Sequence, residues 1–245
     1  MAVFGASGRM GSTSVGALTQ ADDIDVVAQI DISDDPQLAI EAGADVALVF
    51  STPDVALEHV RLCVQAGIHV VVGTSGFDEA RQSEVSALLE SAPNVGVLVV
   101  PNFSIGAVLM MSFAAAAAPY FESVEILEMH HPDKVDAPSG TAVRTAEMMS
   151  AARHAAGSAA IPDATLIDPD GARGANVAGI AIHAIRARGY VASQEVILGN
   201  AGELMSLRHD STDRESFMPG VVAAVRAVAE RPGLTVGLDA VLGLG

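Results

Sequence analysis

The chain has 245 residues, half of them hydrophobic, and a formal net charge of −17, which repels phosphate backbones and anionic lipid surfaces; neither nucleic acid nor a membrane is expected as a partner. No apolar run approaches the roughly 20 residues of a spanning helix, and the single cysteine, Cys63, excludes an internal disulfide framework or a thiolate zinc site. With strand-like residues and a glycine loop at the start, and no basic region followed by a cleavable apolar segment, a cytoplasmic protein is expected.

The first hundred residues alternate short β-branched runs with helical patterns, the signature of parallel βαβ units. Strands are predicted at Ala2 to Phe4, Asp25 to Asp31, Asp45 to Phe50, Ile68 to Val72 and Val95 to Val100. Thr52 and Pro53 read as the cap and first position of a helix that Gly67 closes, and Asp78 as the cap of another. After Asn102 the pattern changes to an apolar helix from Ile105 that Pro119 stops, a strand Val124 to Met129 and a helix capped by Ser139. Three alternating runs follow, Ile180 to Arg188, Val191 to Leu198 and Glu203 to His209, whose short, glycine-bearing separations predict antiparallel hairpins. A last helix, Arg214 to Glu230, is placed with the first domain. The expected architecture is α/β: a Rossmann-type, doubly wound parallel sheet over 1–103 and 214–245, plus an α+β substrate-binding and oligomerisation domain with a mixed or antiparallel sheet over 104–213.

Two features of the first half point to a dinucleotide. The loop Gly5, Ala6, Ser7, Gly8, Arg9, Met10, Gly11 follows the first strand and opens a helix, where backbone N–H groups and the helix dipole can meet a pyrophosphate. Asp31 ends the second strand, 20 residues after Gly11, where an acid can accept hydrogen bonds from ribose hydroxyls. Asp31 followed by the apolar Ile32 favours NADH over NADPH, although Arg9 could still meet a 2′-phosphate. Two further loops, Gly73-Thr74-Ser75 and Val100-Pro101-Asn102-Phe103, leave later strands at the carboxyl edge of the sheet, where ligands of such sheets collect.

The segment from His130 to Thr141 is the most specific. Of the 13 basic residues only Lys134 is a lysine, and it stands among His130, His131, Asp133 and Asp136. A titratable ammonium and an imidazole can donate protons near neutral pH where a guanidinium cannot. Ser139, Gly140 and Thr141 then open a helix whose N-terminus suits a carboxylate. A metal site is not expected, since no second cluster with ligand spacing accompanies the histidines. His59 and His154 read as exposed helix positions, His69 and His183 as strand residues, and His209 beside Asp210 stays ambiguous.

These residues resemble the bacterial 4-hydroxy-tetrahydrodipicolinate reductases of diaminopimelate and lysine biosynthesis, formerly dihydrodipicolinate reductases, and the actinobacterial members most. The likeness runs over nearly the whole chain, through GASGRMG, GTSGF, PNFSIGA, EMHHPDKVDAPSGTA, GARG and HDSTDRESFMPG. It implies a homotetramer, His130 as proton donor or acceptor, Lys134 as proton donor, and a substrate carboxylate held by His131, Gly140 and Thr141. NADH or NADPH would lie on Gly5 to Met10, Asp31, Gly73 to Ser75 and Val100 to Phe103. The chain departs from the family's D-F-T-x-P at Val49, Phe50, Ser51, Thr52 and Pro53, so the acidic residue of that motif is not carried over. The other readings compatible with the residues are an amino-acid dehydrogenase of the diaminopentanoate type and a non-catalytic nicotinamide-binding sensor.

Overall fold

Short β-branched runs separated by helices leave a strand no neighbour but one reached by a crossover, and parallel pairing results. The computed structural model describes residues 1–244 and divides them into two units, Met1–Ile105 together with the chain from Arg214 onwards, and Gly106–Asp213.

The first unit begins with β1 (Ala2–Phe4), α1 (Arg9–Thr19), β2 (Ala28–Ile30), the single turn α2 (Leu38–Glu41) and β3 (Val46–Val49). It continues with α3 (Ala56–Gln65), β4 (His69–Val72), α4 (Glu79–Leu89) and β5 (Gly96–Val99). The second unit contains α5 (Ile105–Ala117, beginning at the boundary residue), β6 (Ser123–His130), α6 (Gly140–Ala155), β7 (Ala175–Val177), β8 (Ile180–Arg186), β9 (Ala192–Asn200) and β10 (Glu203–Ser211). The chain then returns to the first unit with a 3₁₀ turn at Arg214–Phe217, α7 (Met218–Val228), β11 (Gly233–Val236) and the turn α8 (Asp239–Leu242).

The first sheet has the order β11-β5-β4-β3-β1-β2, with every pairing parallel. Both of its faces are buried, as a parallel sheet under helices requires. Phe4, Val49, Val72 and Val99 join the core beneath α3 and α4, while Val3, Leu48, Val71 and Leu98 are equally buried on the alternate face. The chain order reverses between β1 and β3, and this switch point is where ligands of doubly wound sheets bind.

The second sheet is mixed, in the order β10-β9-β6-β8-β7. Ile126, Ile182, Val196 and Leu198 face Ala142, Ala146 and Met149 of α6 in its core. Strand alternation sends Leu127, Ile185, Ile197 and Leu204 to the other face, where Leu204 is 72% exposed.

Several expectations need correction. The runs now β8 and β9 are not a hairpin: β6 lies between them, parallel to β8 and antiparallel to β9, so the link through Gly189 crosses the end of β6. Only β9 and β10 form the expected antiparallel pair. Thr52 does not cap a helix with Pro53 at its first position; α3 begins at Ala56, and the Thr52 carbonyl accepts from the N–H groups of Val55 and Ala56 in a preceding turn. Gly67 does close it, at φ +78. Asp78 caps α4 by accepting from the Arg81 N–H at 3.0 Å. The second strand keeps only Ala28–Ile30, and the last helix is split by its 3₁₀ turn.

Candidate active site

Strand β6 positions the first element of the site. Alternation places Val124, Ile126, Glu128 and His130 on its core-facing side, so an acid lies in the hydrophobic interior two residues before an imidazole. Glu128 is fully buried, and a buried charge is tolerated only when paired and hydrogen-bonded. Its Oε2 accepts from Arg186 Nη1 and meets His130 Nδ1, both at 2.7 Å. Its Oε1 accepts from Arg186 Nη2 at 2.8 Å and from the backbone N–H of Ser139 at 3.1 Å. Burial pushes the Glu128 carboxyl up, but the Arg186 and His130 contacts outweigh it and the net shift is downward.

Arg186 also donates from Nη2 to the Asp136 carbonyl at 2.7 Å, so one guanidinium holds the strand and the loop that leaves it. On that loop Lys134 Nζ donates to Asp136 Oδ1 at 2.7 Å. His131 is half-buried and Asp133 exposed. His130 keeps its ring at the end of the strand; burial lowers its pKa, and the Glu128 carboxylate raises it by less.

Helix α6 follows directly. Ser139 caps it with Oγ accepting from the Ala142 N–H at 3.3 Å, so Gly140 and Thr141 form the first turn, at the positive end of a 16-residue helix. The turn is tied to the sheet: Gln194 Nε2 donates to Thr145 Oγ1 at 2.8 Å, which donates to the Thr141 carbonyl at 2.7 Å. His130 and Ser139 therefore meet one buried carboxylate, and the guanidinium that binds it also holds the loop that bears Lys134.

The remaining residues singled out in the sequence lie in the first unit, at the carboxyl ends of its strands. Gly5, Ala6, Ser7, Gly8, Arg9 and Met10 form the turn from β1 into α1, whose N-terminus has no side-chain cap. A Cβ at Gly5 would stand 2.7 Å from the Phe50 carbonyl oxygen, and one at Gly11 would overlap the Gly5 carbonyl, so the turn is pressed against the end of β3 and folds back on itself. That is a cradle built for close backbone approach, and it fits a pyrophosphate at a helix N-terminus. Asp31 follows β2 and accepts from the Ser7 N–H and Oγ. Gly73, Thr74 and Ser75 follow β4, with Thr74 Oγ1 donating to the Ser51 carbonyl at 2.8 Å. Val100, Pro101, Asn102 and Phe103 follow β5, and Phe103 packs edge-on against Phe50. Among the described residues no group of three or more His, Cys, Asp or Glu side chains could hold a metal ion.

Family comparisons follow the same two halves. The family model for the dihydrodipicolinate reductase N-terminus matches residues 1–103, and that for its C-terminus matches 106–242. The chain belongs to the dihydrodipicolinate reductase family. The reductase is an oxidoreductase of diaminopimelate and lysine biosynthesis, with a nucleotide-binding N-terminal half. It is 56% identical over 243 residues to a 4-hydroxy-tetrahydrodipicolinate reductase of Thermobifida fusca, covering 99% of this chain and 98% of the relative. It is 52% identical over 244 residues to that of Streptomyces coelicolor, covering 100% and 98%. Among solved structures, a dipicolinate-bound dihydrodipicolinate reductase from Paenisporosarcina sp. TG-14 superposes with a TM-score of 0.85 at 36% identity, over 98% of this chain and 97% of that one.

Glu128 and Arg186 were not singled out in the sequence of the reductase. The readable signal was an acid at alternate spacing from His130 inside an otherwise apolar strand. His59, read as an exposed helix position, is instead half-buried: its ring stacks on Phe4 at 4.6 Å, and Nδ1 lies 2.9 Å from Ser51 Oγ. His183 pairs with Glu125 at 2.7 Å, and Arg173 of the GARG motif binds the same carboxylate. His209 lies against Gly106, where a Cβ would come within 2.6 Å of its ring.

Proposed function

We propose that this reductase uses NADH or NADPH to reduce the cyclic imine dicarboxylate derived from 4-hydroxy-tetrahydrodipicolinate, giving tetrahydrodipicolinate. The observation that carries the reading is the junction of a proton-donating loop, His130 to Lys134, with the N-terminus of α6 through Glu128. The dipicolinate-bound relative supports it, because dipicolinate is a planar ring dicarboxylate of the same shape class.

When bound, the reduced nicotinamide supplies a hydride to the conjugated ring carbon, sending electrons toward the ring nitrogen. The chain supplies the proton and the orientation. Lys134 donates the one proton that the electron-rich enamine takes up at carbon, and His130 Nε2, unprotonated in the neutral ring, exchanges a proton at the same centre as the enamine tautomerises. His131, Ser139, Gly140 and Thr141 hold a ring carboxylate at the positive end of α6, which fixes the ring relative to the donors. In a chain of net charge −17, a dianion needs this local cationic exception. Gly5 to Met10, Asp31, Gly73 to Ser75 and Val100 to Phe103 hold the dinucleotide, with Asp31 favouring NADH. Domains at 1–103 with 214–245 and at 104–213 divide these tasks. Assembly as a homotetramer in the cytoplasm belongs to the same reading, and the partly exposed Ile185 and Leu204 on the second sheet are consistent with a subunit contact.

The deciding experiment follows absorbance at 340 nm while the hydroxylated precursor is generated in place by its synthase. Consumption of NADH or NADPH dependent on the precursor is expected; consumption of neither overturns the reading.

A further inference from the structure

Glu128 is a fully buried acid that no step of the proposed reaction uses. Each of its oxygens meets two partners: Oε1 those on Arg186 Nη2 and Ser139 N, Oε2 those on Arg186 Nη1 and His130 Nδ1. A carboxylate offers about four acceptor positions, whereas a carboxylic acid must spend one oxygen as a donor. Arginine and a backbone N–H can only donate, so three of the four places are fixed as acceptors. The pairing is complete only when the acid is ionised and the fourth partner, His130 Nδ1, also carries a proton. That leaves Nε2 as the ring nitrogen free to exchange a proton with a ligand.

We infer that Glu128, clamped by Arg186, is the positioning residue of this active site: it fixes the tautomer and orientation of His130 and, through the Ser139 N–H, ties that ring to the start of α6. The inference deepens the proposed function and rests on its assignment of proton transfer to His130. A carboxylate held behind an imidazole is a known way to set which nitrogen acts. Here the clamp has two further consequences. Arg186 donates to the Asp136 carbonyl with the same Nη2 that binds Glu128, so the loop bearing Lys134 is registered on the strand bearing His130. The Ser139 N–H bond registers the proposed carboxylate-binding turn on the same carboxylate.

The charged groups around the ring are few. Glu128 on β6 raises the proton affinity of His130; Arg186 on β8 and Lys134 on the loop lower it; β9 places Ala192 opposite and contributes no charge. Glu128→Gln removes the raising charge and Arg186→Gln a lowering one. The ring nitrogens of His130, assigned through a His130→Gln control, can be followed by ¹H–¹⁵N NMR across pH in the cofactor-free protein. The expected result is that the His130 titration moves to lower pH in Glu128→Gln and to higher pH in Arg186→Gln. Wild-type protein should show Nδ1–H with an unprotonated Nε2 above the titration. In turnover assays Glu128→Gln should lose at least tenfold in kcat while KM changes less than about threefold, because the variant misplaces a proton and leaves ring binding largely in place. A residue that only stabilised the fold would not move the two titrations in opposite senses. Unchanged or same-direction titrations, or an Nε2–H tautomer in the wild type, overturn the inference. Absence of wild-type turnover with the dipicolinate precursor would overturn the proposed function instead, and the NMR titrations would still decide the role of Glu128.

Discussion

Lys134 Nζ lies 2.7 Å from Asp136 Oδ1, so the only ammonium side chain in the protein is held by an acid two residues away on the same loop. The Lys134 side chain is 21% exposed and that of Asp136 50%, which makes the pair a solvated one worth at most about 1 kcal/mol. Lys134→Met and Asp136→Asn should therefore each unfold within about 1 kcal/mol of wild type. Activity should separate them: Lys134→Met should lose about 10²-fold or more in kcat, the scale of a removed proton donor, while Asp136→Asn retains turnover. Thermal unfolding beside steady-state kinetics checks both. A Lys134 variant with full kcat would remove the amine from the mechanism.

The glycine turn offers a sharper steric test. A Cβ at Gly8 would meet the Gly5 carbonyl oxygen at 3.1 Å, a tight contact that requires that carbonyl to yield by a few tenths of an ångström, and Gly8 has φ −65, open to any residue. A Cβ at Gly11 would overlap the same carbonyl and leave the turn no room to close. Gly8→Ala should keep the fold and lose no more than a fewfold in NADH affinity; Gly11→Ala should lose NADH binding and destabilise the first unit by about 1–3 kcal/mol, the usual cost of overpacking. Fluorescence titration with NADH and denaturant unfolding of the two variants give the comparison. Equal behaviour would mean that the cradle is not shaped by close packing.

Asp31 accepts from the Ser7 N–H at 3.0 Å and from Ser7 Oγ at 2.8 Å, leaving further acceptor positions for ribose hydroxyls. It would also repel a 2′-phosphate. Asp31→Ser should weaken NADH by about tenfold, the scale of a lost hydrogen bond to a charged group, and should improve NADPH. The ratio of kcat/KM for the two cofactors is the measurement. An unchanged ratio would show that Asp31 does not read the ribose.

Much of this arrangement was legible because its signals are local. Asp78 caps α4 and Gly67 closes α3 by chemistry carried in one or two residues, and the apolar runs of β3, β4 and β5 are buried on both faces. His130, Lys134 and Ser139 were readable together because they lie within ten residues, joined by a loop and a cap. What was not legible depends on distant chain. A short link between β8 and β9 suggests a hairpin, yet β6, more than 50 residues earlier, takes the place between them. Glu128 reads as an odd acid in an apolar strand until Arg186, 58 residues on, supplies its counter-charge. β11 was missed because its Gly233–Val236 run is only four residues long and gains its identity from pairing with β5.

The titration of buried histidines predicts how stability follows pH. His59, His130 and His209 are all held below the ordinary imidazole pKa, in each case chiefly by burial. Near pH 6.5 the unfolded chain takes up protons that these folded sites still refuse, so the unfolded state binds more protons and stability falls as pH drops through that value. Glu128, Asp136 and Asp210, whose pKa values are lowered, add a second loss at more acidic pH, as they must be protonated below their unfolded values near 4. The unfolding temperature should thus decline in two stages as pH falls below about 7. One histidine can contribute no more than about 1.4 kcal/mol per pH unit to the first stage. His59 is the cleanest to remove, since it lies outside the proposed proton-donating loop and a phenyl ring can keep its stacking on Phe4. His59→Phe should show a smaller drop in unfolding temperature between pH 7.5 and pH 5.5 than wild type, even if its stability at pH 7.5 is reduced by the lost Ser51 contact. An identical drop would mean that the His59 ring takes up its proton as readily folded as unfolded.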